Sequence, residues 1–91
     1  MTVRELFDAL DDGNPSQPIM QTQNGHVLLW VAQRGDRYAI EESSGDTGED
    51  QSEEEVGPTI ARWMRKTGRE DCLDDLLTLL RVEVARALRG A

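Results

Sequence analysis

Apolar positions follow three successive rhythms along the chain. Val3, Leu6, Phe7 and Leu10 recur at helical spacing and predict a short amphipathic helix. Thr2 is placed to cap it, with Glu5 three residues later. The stretch DDGNP at 11–15 then ends it, because glycine suits a helix terminus and proline resists continuing one. A helix this short must dock on something to persist.

The second rhythm has a period of two. In QPIMQTQNGHVLLWVAQRGDRYAIEES, Asn24-Gly25 is the strongest hairpin signal, since both residues tolerate the positive φ of a type I′ turn. A turn on that pair sets Thr22 opposite Val27, Met20 opposite Leu29 and Ile19 opposite Trp30. Gly35-Asp36 returns the chain once more. Three antiparallel strands in a meander are predicted, at about 18–23, 26–33 and 37–42. Alternation puts Met20, Leu29, Val31, Tyr38 and Ile40 on the core face. It puts Ile19, Leu28, Trp30, Ala32 and Ala39 on the other. That second face is too apolar for plain contact with water and marks an interaction patch unless a helix covers it.

The third rhythm is helical again. Gly57-Pro58 predicts a helix start, with Ile60, Trp63 and Met64 on its apolar side and Gly68 at its end. Thr67 and Glu70 then form a capping box for a last helix through Gly90, whose Leu73, Leu76, Leu77, Leu80, Val84, Ala87 and Leu88 repeat at three and four. Asp71, Asp74 and Asp75 near its start and Arg81, Arg86 and Arg89 towards its end suit the helix dipole. The predicted order is α-β-β-β-α-α, an α+β fold in one small domain over 1–91.

Charge adds a fourth segment. The chain carries 18 acidic and 10 basic residues, a net −8, and EESSGDTGEDQSEEE at 41–55 alone holds eight of the acids. The acidity is therefore local, and the glycines and serines among it predict a flexible acidic loop at about 43–56. Asp46, Glu49, Asp50, Glu53, Glu54 and Glu55 are its candidate contacts. A solvated linker, a mimic of nucleic-acid charge and a cover for a basic helix all fit that composition. A loop of about 15 residues, with ends about 20 Å apart on average, reaches far enough for the last.

The basic helix is the stretch Arg62, Arg65, Lys66 and Arg69, spaced for one face. Four cations support a salt slope of at most about −3.6 on duplex DNA, and no aromatic platform, zinc spacing or basic arm accompanies them. The pattern argues against a nucleic-acid binder. Nine arginines against a single lysine point to a GC-rich prokaryotic source or its phage, with a halophile as the alternative. The lone Cys72 rules out an intramolecular disulfide and reads as a buried thiol. No apolar run reaches the roughly 18 residues a bilayer span requires, and the acidic N-terminus is unlike a signal peptide, so a cytoplasmic protein is expected.

Catalysis has little support. His26 stands alone beside the hairpin turn, and no nucleophile or carboxylate is spaced to join it. GDTGED lacks the spaced ligands of a calcium loop, and no cofactor motif follows a strand. RGD at 34–36 is turn chemistry. The sequence thus predicts a non-enzymatic domain without cofactor or metal, which binds a protein partner or itself as a homodimer. Ile19, Leu28 and Trp30 are its first candidate contacts, and Arg62, Arg65 and Lys66 its second. The alternatives are an acidic inhibitor of the immunity type and a weak nucleic-acid binder acting through the basic helix.

Overall fold

The computed structural model describes residues 3–10, 13–42, 45–46 and 50–90, with backbone alone at 45 and 46. Helix α1 (Val3–Leu10) leads into strands β1 (Ser16–Gln21), β2 (Val27–Arg34) and β3 (Arg37–Glu42), which form an antiparallel meander. A two-residue strand β4 (Gly45–Asp46) extends the sheet. Helix α2 (Glu53–Lys66), a short 3-10 helix (Leu73–Asp75) and helix α3 (Thr78–Gly90) complete the chain. This is the α-β-β-β-α-α arrangement that the three rhythms predict.

The first hairpin departs from the expected register. Thr22 and His26 close a three-residue loop, in which Gly25 N–H donates to Thr22 C=O at 2.9 Å and Gly25 adopts φ +84°. This is a type I turn followed by a left-handed glycine rather than a two-residue type I′ turn. Two compensating bulges then follow. Gln21 pairs with Val27 and Met20 with Leu29, so Leu28 is the extra residue on β2. Pro18 pairs with Trp30, so Ile19 is the extra residue on β1. The expected pairing of Ile19 with Trp30 is therefore wrong: the bulge turns Ile19 inward beside Met20, and both are at most 1% exposed. The second hairpin is a two-residue loop between Arg34 and Arg37, with Gly35 supplying φ +67°.

Leu29, Val31, Tyr38 and Ile40 face a core shared with Val3 and Leu6 of α1, Val56, Ile60 and Met64 of α2, and Leu80 and Val84 of α3. All three helices thus pack on one side of the sheet. Phe7 meets Tyr38 across the α1–β3 junction, ring centroids 6.0 Å apart.

Both sheet edges are occupied. Along β1, Met20 bridges to Leu76, and Leu77 N–H donates to Ile19 C=O at 2.9 Å. Along β3, β4 pairs with Glu41 and Glu42, and Gln51 exchanges two 2.9 Å backbone bonds with Tyr38. These pairings leave little exposed edge for another strand to join.

Two helix boundaries also differ from expectation. Helix α2 begins at Glu53, not at Gly57-Pro58, behind Ser52 as its N-cap. Glu55 Oε1 accepts a 2.8 Å bond from Ser52 N–H, and three acids in the first turn suit the dipole. Pro58 lies one turn in, where it removes one intrahelical bond. The expected long last helix is interrupted as well. Thr67 belongs to the end of α2, its Oγ1 donating to Trp63 C=O at 2.8 Å. Residues 69–77 turn, tighten into the 3-10 helix and extend at Leu76. The Arg81 guanidinium holds them there, donating to Leu76 C=O at 2.9 Å and Asp74 C=O at 2.6 Å. Pairing with β1 wins over helical propensity in this segment. Cys72 is half-buried against the core rather than fully enclosed.

Candidate interaction surface

The face of the sheet away from the helices is built in rows. Register places Trp30 between Pro18 and Glu41, Ala32 between Ser16 and Ala39, and Arg34 opposite Arg37. Trp30 is half-buried and belongs neither to the core nor to the apolar side chains packed against it. Leu28, displaced by its bulge, packs against the core, and Ile19 is inside it. Of the three apolar candidates, Trp30 alone is left on the outer face.

The middle row is small and sheltered. Arg34 and Glu41 stand in the rows on either side of Ala32 and Ala39, and their side chains meet above it at 3.7 Å. Ala32 and Ala39 are only 6% and 9% exposed beneath them. An exposed pair of this kind contributes little to stability, about 0–1 kcal/mol, so breaking it costs the fold little. Arg34, Glu41 and Pro18 were not among the expected contacts. Strand alternation from Trp30 reaches Arg34, and the Ala32–Ala39 pairing reaches Glu41, so register carried the signal.

The basic stripe is dispersed. Contacts between α2 and α3 join Gly57 to Glu83 and Arg65 to Ala87 and Leu88, so the two helices run in the same sense. Their negative ends therefore lie side by side, and cations there offset both dipoles. Arg65 donates to Leu88 C=O at 2.5 Å and to Ala87 C=O at 3.3 Å, capping α3. Arg69 lies over the Trp63 ring, 5.3 Å from its centroid. Arg62 and Lys66 remain exposed, and Arg62 lines a cleft with Arg65 and Arg86 between the helices.

The acidic candidates divide in the same way. Glu49 lies outside the described residues with Ser43, Ser44, Thr47 and Gly48 of the expected loop, and of Asp46 only the backbone in β4 is described. Asp50 is exposed, and its C=O accepts a 3.2 Å bond from Arg37. Glu53, Glu54 and Glu55 are helical, not part of a loop. Glu53 pairs with Arg4 at 3.2 Å, and Glu55 stands 4.0 Å from Arg37. The bond from Ser52 N–H holds the Glu55 carboxyl below the ordinary glutamate range.

One buried polar group lies near α1. The Tyr38 hydroxyl is enclosed, with the Arg4 guanidinium near it but no hydrogen-bond partner in place among the described residues. Burial pushes its pKa up, the nearby Glu53 charge adds to the shift, and Arg4 opposes it. His26 is exposed on the first hairpin loop. No group of three or more His, Cys, Asp or Glu among the described residues is arranged to hold a metal ion. No helix among them is long and apolar enough to cross a membrane. Comparison with protein-family models, curated proteins and solved structures returned no match.

Proposed function

We propose that this chain is a non-enzymatic protein-binding domain that meets its partner through the open face of its sheet, centred on Trp30. One observation carries the reading: every helix packs on the face of Leu29, Val31, Tyr38 and Ile40, while Trp30 stands half-exposed on the opposite side. Aromatic and arginine side chains dominate protein interfaces, and this face presents Trp30 on one side of the alanine row and Arg34 on the other. Its middle row of alanines lets another surface approach closely once the exposed Arg34–Glu41 pair above it parts. The free thiol of Cys72 suits a cytoplasmic setting.

The two alternatives have less to draw on. A charge mimic needs carboxylates free to face a nucleic-acid enzyme, yet Glu53 and Glu55 are engaged with Arg4, Ser52 and Arg37. A nucleic-acid binder needs free cations, yet Arg65 and Arg69 are committed to α3 and to Trp63.

The test is a photocrosslinking residue in place of Trp30, with an exposed control at Glu70, in the native cell. A discrete protein adduct from position 30 and none from position 70 is the expected result. No adduct from position 30, or the same adducts from both, overturns the proposal.

A further inference from the structure

We infer that the outer face of the sheet, if it binds protein as proposed above, takes a second copy of the same chain, with Arg34 of each copy set against Glu41 of the other.

Charge selects this occupant. Across the Ala32–Ala39 row, Arg34 lies at one end and Glu41 at the other, while the Arg37 side chain is drawn away to Asp50 C=O and Glu55. The face is thus basic at one end and acidic at the other, with small residues between. A twofold axis along the alanine row brings the basic end of each copy over the acidic end of its mate. Arg34 then stands over Trp30 of the second copy and one strand from its Glu41, a diagonal reach the pair already makes within one chain, giving a cation–π contact beside an ion pair. An axis along the strands would stack Arg34 on Arg34 and is disfavoured. Isologous pairing demands a self-complementary patch, and this one is self-complementary in a single orientation. The Arg34–Glu41 pair within one chain, with side chains 68% and 39% exposed, is free to exchange for two pairs between chains.

Size sets the strength. Strands of six to eight residues offer a face of about 300–500 Å², below the roughly 800 Å² per partner of a standard stable interface. Mutual repulsion between chains of net charge −8 weakens the pair further. The dimer is therefore concentration-dependent.

Sedimentation of the wild type, of Arg34→Glu, of Glu41→Arg and of an equimolar mixture of the two variants tests this. The wild type should shift from monomer to dimer over a hundredfold rise in concentration. Each variant alone should lose the dimer at least tenfold in affinity, since both ends of its face then carry like charge. The mixture should regain it. Position 34 of the first variant, now acidic, faces position 41 of the second, now basic, while the unchanged Glu41 of the first faces the unchanged Arg34 of the second. Loss of a bond within each chain cannot be restored by mixing. Circular dichroism confirms that the variants stay folded; if either does not, concentration-dependent shielding of wild-type Trp30 from acrylamide replaces the mixing arm. A wild type that stays monomeric throughout, or folded variants that fail to associate on mixing, overturns the inference. A monomer whose position 30 crosslinks to a different protein overturns it while leaving the binding role intact, whereas no crosslink at all removes both.

Discussion

Trp63 Nε1 donates a 2.6 Å hydrogen bond to Glu42 Oε2, joining α2 to the last residue of β3. The indole is 7% exposed, so the bond is partly shielded from water, and Arg69 covers the ring. A hydrogen bond to a charged acceptor is worth about 1.5–3 kcal/mol. Glu42→Ala should therefore lower stability by about 1.5–3 kcal/mol in a denaturant titration, and Glu42→Gln by less. A loss below about 0.5 kcal/mol for Glu42→Ala, on the scale of an exposed pair, would show that this bond does not hold α2 to the sheet.

Gly57 lies where α2 and α3 meet, in the helix and directly before Pro58, whose ring crowds a Cβ on the preceding helical residue. A Cβ added there would sit 3.5 Å from Glu83 Cβ, an ordinary contact. Alanine is the better helix former by about 0.5–1 kcal/mol, but the proline clash offsets that gain, so Gly57→Ala should leave stability unchanged or lower it. Thermal melts decide it, and a clearly raised midpoint would show that Pro58 does not crowd this position.

The buried Tyr38 hydroxyl makes a prediction with a definite sign. Its folded pKa lies above the unfolded value of 10.0, so the stability it contributes is fully present below about pH 10 and falls as pH rises through the folded value. Tyr38→Phe removes a buried donor that has no partner among the described residues, and should leave stability unchanged or raise it by about 1 kcal/mol at neutral pH. It should also flatten the alkaline decline. Stability that drops in the phenylalanine variant would reveal a bond to the hydroxyl.

Glu55 predicts the opposite dependence. Its folded pKa is depressed, chiefly by the bond from Ser52 N–H, so its contribution is present above the ordinary glutamate range and is lost as pH falls through the folded value. Glu55→Gln should flatten the acid limb of the melting-temperature profile. An unchanged limb would mean that this carboxylate does not hold the start of α2.

Much of this fold is legible from period alone. The alternation of Leu29, Val31, Tyr38 and Ile40 locates the core face, and Gly35-Asp36 locates the second turn. What eludes the pattern comes from residues that a period cannot see. The bulge at Ile19 exchanges its face by adding one residue on β1, and the three-residue loop at Gly25 shifts the register that a two-residue turn would set. Leu73, Leu76 and Leu77 keep helical spacing, yet Leu73 opens only a 3-10 turn, and pairing with β1 and the Arg81 bond hold Leu76 and Leu77 out of the α-helix. The acidic run reads as a loop because Pro58 draws the helix start to itself, although Ser52 followed by three glutamates is itself a start signal. At the candidate surface Trp30 is legible directly, while Arg34 with Glu41 emerges only when the Gly35-Asp36 turn is used to set β2 against β3.

The outer face is tested most directly by fluorine NMR of the chain labelled with 5-fluorotryptophan, which carries two reporters, at 30 and 63. At low concentration, exchange of H2O for D2O should shift the Trp30 resonance markedly and leave that of Trp63 nearly still. Raising the concentration should suppress the Trp30 response as the face is covered. Two equally shielded resonances in the dilute monomer would contradict the account, since the chain would then be covering its own outer face.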